Sequence, residues 1–312
     1  MKTPPAILGK IAESTLTRVA KAKEVLPLEQ IQEQLHKENK PQSNTELWVK
    51  SDNPAQTPYP ANQDNNKGYY NIGIPQNTLC NSVVKNILPF ESALSASGLS
   101  FICEVKKASP SKGIISEDFP WLEIAKEYEI GGAAAISVLT EPEFFLGSGL
   151  YLQEISKAVK IPTLRKDFII DPYQIYEAKL WGAQAILLIC ALLEPETISS
   201  FIAIADELEL DCLVEVHNED ETREAIEAGS RIIGINNRDL TNFKVDTGLT
   251  ARLMKNIPAG ILTVAESGIN KTDDIRELIG IGVDAVLIGE SLMRSADKKK
   301  FLSELRAVPA QQ

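Results

Sequence analysis

From about residue 99 onward, short apolar runs alternate with amphipathic stretches eight times over. The runs occupy residues 99–105, 133–139, 161–166, 185–190, 212–216, 231–236, 261–267 and 284–289. Between them lie EIAKEYEIGG, YQIYEAKLWG, TISSFIAIADELEL, NEDETREAIEAG and DDIRELIGIG, which read as helices. Several end in glycine, the usual helix stop. Strands that are apolar on both faces imply a parallel sheet covered by helices. Eight βα units in roughly 200 residues predict a closed (β/α)8 barrel, an α/β fold. An open doubly wound sheet is the alternative, but no GxGxxG joins a strand to a helix here.

The chain divides into three stretches. Residues 1–40 predict an N-terminal helical extension. Ile7, Leu8, Ile11, Ala12, Leu16 and Val19 recur at three- and four-residue spacing along one face. Pro27 interrupts that pattern, and Leu28, Ile31 and Leu35 suggest a second helix. Both are expected to serve packing. Residues 41–80 are rich in Asn, Gln, Pro and Asp without a sustained period, the texture of a polar loop or partly disordered insertion. Trp48, Tyr59, Tyr69 and Tyr70 within it either pin it to a surface or mark a partner site. Residues 81–312 form the expected catalytic barrel domain.

Composition excludes several classes. With 32 Lys+Arg against 43 Asp+Glu, the net charge is −11, and the mean field repels nucleic acid and anionic membranes. A small phosphorylated ligand remains compatible, because basic residues occur locally. No run reaches the ~20 apolar residues of a membrane span, and the N-terminus shows no secretory signal. Cys80, Cys103, Cys190 and Cys212 are far apart, and three of the four sit in apolar runs that suit buried free thiols. The two histidines, His36 and His217, form no Cys/His cluster with metal-ligand spacing, so no metal is expected. The expected compartment is a reducing cytoplasm.

In a (β/α)8 barrel the chemistry sits at the C-terminal ends of the strands and on the loops that follow. The first run ends Glu104-Val105-Lys106, and alternation points both charged side chains the same way. The third ends at Lys166, the fifth holds Glu215, and the sixth ends at Asn236 with Arg238 beyond. The seventh ends Glu266-Ser267-Gly268 and the eighth Gly289-Glu290-Ser291. Singly, each is as well explained by a salt bridge or a solvated strand end. Together, three acids and three bases converging on one rim inside apolar strands predict a site, because buried charge is costly unless paired. Gly268 and Gly289 fall where barrels bind phosphate on backbone N–H groups. The ASPSKG segment adds Ser109, Ser111 and Lys112 as further phosphate donors, with a plain turn as the alternative.

The run from Glu104 to Gly113, EVKKASPSKG, resembles the first-strand signature of the indole-3-glycerol-phosphate synthase family. So do SVLTEPEFFLGS, LRKDFIIDPYQIYEA, LVEVH, IGINNRDL, AESGI and IGESLM, in the family's order, one per successive βα unit. ILGKI near the N-terminus resembles the family's helices before the barrel, whereas 41–80 departs from its shorter connection. The resemblance implies a carbon–carbon lyase of tryptophan biosynthesis. It would close the pyrrole ring of 1-(2-carboxyphenylamino)-1-deoxyribulose 5-phosphate with loss of CO₂ and water, without a cofactor. A ketone attacked by an aryl carbon needs a proton donor in a dry site.

Lys166 matches the family's general acid, and a lysine among apolar side chains and other cations is expected to have a lowered pKa. Glu215 matches the general base. Lys106 matches a lysine that holds the substrate carboxylate or acts as a second acid. Glu104 would orient one or both lysines. Asn236 would bond the base or a substrate hydroxyl, and Arg238 offers a fork for a carboxylate. Glu266 and Ser267 match residues near the sugar and the catalytic network. Phosphate is expected on Ser109, Gly268, Gly289, Glu290 and Ser291. Pro110, Phe145, Phe168, Leu187 and Leu240 match apolar positions around the anthranilate ring. The resemblance leaves a monomer as the expectation, with association among tryptophan-pathway enzymes open. Two other functions stay open: a paralogous cyclase acting on another aryl-amino or indolic keto acid, and an inert barrel whose insertion recruits a partner.

Overall fold

The computed structural model describes residues 2, 6–38 and 87–309. The stretch 41–80, with Cys80 and the four aromatic residues read within it, lies outside the described residues, so the expected insertion is not tested. The eight apolar runs form strands β1 (Ser100–Val105), β2 (Ala135–Leu139), β3 (Thr163–Lys166), β4 (Ala185–Ile189), β5 (Asp211–Val216), β6 (Ile232–Asn236), β7 (Leu262–Glu266) and β8 (Ala285–Ile288). Each pairs in parallel with its sequence neighbour, and β8 closes on β1 from Ser100↔Ala285 to Cys103↔Ile288. The closed barrel is therefore the one predicted. Nearly every strand residue is buried, which is why the runs show no polar alternation.

Helices α1 (Ala6–Val25), α2 (Leu28–Glu38) and α3 (Pro89–Leu94) precede the barrel strands. Along the barrel follow α4 (Trp121–Ile130), α5 (Gly149–Ala158), α6 (Tyr173–Leu180), α7 (Pro195–Glu207), α8 (Glu219–Glu227), α9 (Gly248–Leu253), α10 (Thr272–Ile281), α11 (Glu290–Arg294) and α12 (Lys298–Arg306). Local signals explain the boundaries. Pro195 opens α7 at a position that lacks an intrahelical N–H partner anyway. The Asn218 side chain accepts from Glu221 N at the start of α8. Gly282 ends α10 in the left-handed region at φ +87°.

The N-terminal pair docks as expected but with a shifted stripe. Leu8, Ile11, Ala12, Thr15 and Val19 are buried, whereas Leu16 is 45% exposed. A turn of about 100° per residue carries Leu16 to the edge of the face centred on Leu8, Thr15 and Val19. Val19 packs with Ile31, Leu35 and Tyr173, tying α1 and α2 to α6. The Tyr173 hydroxyl donates to the carbonyls of Ala22 and Leu26 on either side of the α1 terminus. At the opposite end of the barrel, Glu91 of α3 and Asp211 and Asp206 surround the Arg231 guanidinium. That is the face where barrels carry stability rather than chemistry.

Candidate active site

A cavity of about 720 Å³ opens at the C-terminal ends of the strands. Glu104, Lys106, Lys166, Glu215, Arg238 and Glu266 all line it, so the six charged groups read from separate strand ends do converge. Asn236, Ser267, Gly268, Gly289, Glu290, Ser291 and Ser109 line it as well. So do the apolar residues Pro110, Phe145, Phe168, Leu187 and Leu240. Phe145 and Phe168 stand with ring centroids 5.9 Å apart. The loop carrying Phe145 is braced by Glu141, whose buried carboxylate accepts the backbone N–H groups of Glu143, Phe144 and Phe145.

At the centre, Lys166 Nζ lies 2.9 Å from Glu215 Oε2 and 3.1 Å from Glu266 Oε2. The expected lowered lysine pKa is therefore corrected. Burial does pull the ammonium down, but the carboxylates of Glu215, Glu266 and Glu104 outweigh it, and the Lys166 pKa rises. Its neighbours are anions, not cations. Glu215 feels the same burial, and Lys166 and His217 hold it well below the usual carboxylate range. Glu266 goes the other way. Burial and the nearby charges of Glu215 and Glu104 prevail over Lys166 and push it up to about 7. Two carboxylates sharing one ammonium do not ionise equally.

Glu104 Oε1 holds Lys106 Nζ at 2.6 Å, so its orienting contact is with one lysine. Gly289 makes room for this pair: a Cβ there would lie 2.4 Å from Glu104 Oε1 and 3.0 Å from Lys106 Nζ. Gly234 does the same on β6, where a Cβ would meet Glu266 Oε1 at 2.2 Å. Asn236 Oδ1 accepts from Ser267 Oγ at 2.8 Å and from Arg238 N at 3.1 Å, which ties the end of β6 to the loop after β7. Arg238 spends one nitrogen on the Phe243 carbonyl, 3.1 Å away, which folds the following loop back on the site. Gly268 follows β7 with φ +83°. Ser291 Oγ donates to Ile269 O, joining the loops after β7 and β8. Lys112 Nζ sits 3.6 Å from Glu290 Oε1 at the rim.

Three features escaped the sequence reading. Ile7, Leu8 and Ile11 of α1 line the cavity, so the packing helix also forms part of its wall. Arg18 of α1 makes a forked pair with Asp167, at 2.7 and 2.9 Å, and Asp167 also receives Arg165 and the Thr140 hydroxyl. Burial would raise Asp167, but Arg165 and Arg18 drive it far below the usual range. His217 stands beside Glu215, two residues on and just past the end of β5. Period-two alternation already put both on one face of LVEVH, the one signal that was available.

The description of the matching family model is indole-3-glycerol phosphate synthase, and it covers residues 73–305. The chain belongs to the indole-3-glycerol phosphate synthase family. An indole-3-glycerol phosphate synthase of Ruminiclostridium cellulolyticum is 59% identical over 72% of this chain and 86% of its own. One of Lachnoclostridium phytofermentans is 43% identical over 97% of this chain and 99% of its own. A solved 3-hexulose-6-phosphate synthase shares the barrel alone, with TM-score 0.55 at 14% identity over 67% of this chain and 99% of that one. The activity is that of the indole-3-glycerol phosphate synthases: ring closure with decarboxylation, a carboxy-lyase step of tryptophan biosynthesis. Among the described residues no helix is long and apolar enough to cross a membrane.

Proposed function

We propose that Lys166 is the general acid of ring closure and Glu215 the base of the dehydration that follows. The observation that carries this reading is the Lys166–Glu215 contact at 2.9 Å on the cavity floor, both side chains nearly dry. The ketone oxygen takes a proton from Lys166 as the aryl carbon attacks it. Loss of CO₂ restores aromaticity. Glu215 then takes the ring proton while Lys106 or the recharged Lys166 protonates the hydroxyl, which leaves as water. Lys106, steadied by Glu104, holds the substrate carboxylate, and Arg238 stands by with the free edge of its fork.

The anthranilate ring lies between the Phe145–Phe168 wall and Pro110, Leu187 and Leu240. The phosphate is received by Ser109 and by the backbone around Gly268, Gly289, Glu290 and Ser291. Glu266 and Ser267, with Asn236, hold the sugar hydroxyls. The substrate is the carboxyphenylamino-deoxyribulose phosphate, the enzyme works in the cytoplasm, and the chain acts as a monomer.

The test mixes the protein with that substrate and follows indole fluorescence. Glu215→Gln keeps the size of the group without its basicity, so kcat should fall with KM little changed. A large rise in KM at unchanged kcat would make Glu215 a binding group. The dephosphorylated substrate should be turned over far more poorly, since phosphate binding energy goes into orientation. Equal kcat/KM for both forms would remove the phosphate site.

A further inference from the structure

The chemistry imposes a proton requirement on this site. The carboxylate departs as neutral CO₂ and leaves its electron pair on the ring, where it cancels the positive charge brought by the proton on the ketone oxygen. The dehydration is proton-neutral, because the proton added to the hydroxyl equals the one removed from carbon. Ring closure is not: the proton given to the ketone oxygen leaves in the water. Each turnover therefore consumes one proton, and the acid has to be recharged from solvent.

Lys166 is poorly placed to collect that proton directly. Its ammonium faces the cavity, where bound substrate covers it, and its charged partners are Glu215 and Glu266 on the cavity floor. Behind Glu215 stands His217. Lys166 occupies Glu215 Oε2, while His217 Nε2 faces Oε1 at 3.3 Å. The other ring nitrogen, Nδ1, lies 3.0 Å from Glu221 Oε2 in the first turn of α8. Glu221 also accepts the His217 backbone N–H and the amide of Asn218, an exposed residue. His217 is not among the residues that line the cavity and stands behind Glu215, which does. Its buried Nε2 is aimed at the Glu215 carboxylate from behind.

We propose that His217 is a positioning residue that recharges the acid, with Lys166, Glu215, His217 and Glu221 forming a proton row from the cavity floor to the outer rim. The inference rests on the Lys166 and Glu215 roles above. When Lys166 has given its proton to the ketone oxygen, Glu215 loses one of the two cations that keep it ionised. Its proton affinity rises, and the imidazolium proton passes through the Glu215 carboxyl group to Lys166. A proton from solvent restores the imidazolium, so one proton enters per CO₂ released.

The resting charge state suits this task. Burial opposes charge on the ring, but Glu215 and Glu221 prevail and raise its pKa to about 10. Glu215 comes from β5, which ends one residue before His217, and Glu221 from α8. Beyond them lie Cys190 after β4, Glu224 of α8 and Lys2. Burial pushes the Cys190 thiol up, and Lys2 pairs with Glu224, so neither competes for the proton.

The experiment compares the first turnover, with enzyme in excess, against steady-state turnover, both by stopped-flow indole fluorescence. For His217→Gln the steady-state rate should fall at least tenfold while the first-turnover rate stays within about threefold of the parent. Imidazole buffer at constant pH should restore the lost rate in proportion to its protonated form, and Glu221→Gln should show the same split more weakly. If both rates fall together without rescue, His217 is structural and the proposal fails. If neither falls, the acid recharges by another route and the proposal also fails. A parent protein with no turnover would instead overturn the reaction assignment on which the row rests.

Discussion

At the scale of single residues, the site is a set of charges whose partners decide what each can do. Lys166 is an ammonium braced by carboxylates, so its removal takes away both the proposed donor and the counter-charge of two buried acids. Lys166→Ala should lower kcat by about 10²–10⁴, the range of a positioned general acid, and retain a cooperative thermal transition. A variant that keeps most of its kcat would end the assignment. Gly289 makes a second, steric prediction. In Gly289→Ala the new methyl would meet the Glu104–Lys106 pair at its centre. The pair has to separate or the loop after β8 has to move, and kcat/KM should drop by roughly 10–100-fold, a cost typical of ångström-scale misplacement. Gly280, where a Cβ meets nothing within 4 Å, serves as the neutral control for an added methyl.

At the scale of elements, α1 links the chain before the barrel to strand β3. Its inner face supplies Leu8 and Ile11 to the cavity wall, and its Arg18 grips Asp167, the residue after Lys166. The cut Arg18→Ala leaves Asp167 with Arg165 and Thr140, so the carboxylate is not orphaned. A loss of about 1.5–3 kcal/mol is expected, the range for hydrogen bonds to charged groups. The amides of α1 should lose hydrogen-exchange protection before those of the barrel, and KM should rise more than kcat falls. Uniform loss of protection across α1 and β3 would show that the helix does not open separately. The forked pair carries two separate N–H···O bonds, which a lysine cannot reproduce, so Arg18→Lys should resemble the alanine variant.

At the scale of the whole molecule, the buried charges shape stability against pH from both sides. Asp167 is depressed in the fold, so its contribution is present above its unfolded pKa near 4 and is lost as pH falls. Glu266 is raised to about 7, so its contribution is present at low pH and is lost as pH rises through 7. His217, raised to about 10, adds a second loss between its unfolded value near 6.5 and 10. Urea unfolding across pH 4–10 should show stability falling above pH 5. Glu266→Gln should remove the part of that fall below pH 7, and His217→Gln the part above it. Unchanged slopes in both variants would mean that other groups set the profile. Residues 44–78 yield a different expectation, from composition alone. Loop closure entropy grows by only about 0.6 kcal/mol per doubling of length. A short Gly/Ser linker in their place should leave kcat within a few-fold and Tm nearly unchanged; a loss of kcat/KM well over tenfold would assign the stretch a part in catalysis.

The sequence by itself determined the barrel, because two-sided burial writes each parallel strand as an unbroken apolar run with its polar residues pushed to the C-terminal end. Lys166, Glu215 and Glu266 were legible for the same reason: a charge at the end of an apolar strand stands out against its neighbours. Contacts between elements distant in the chain were not legible. Arg18 and Asp167 are 149 positions apart, and an arginine on a helix face reads as solvated until the fold sets a carboxylate opposite it. The sign of the Lys166 shift was decided in the same way. Its apolar sequence neighbours suggested desolvation, but a pKa responds to charges within a few ångströms, and those came from β5 and β7. Only the closure of the barrel brings those strands to face β3 across its mouth, and so only the tertiary structure made the lysine a firmly held cation.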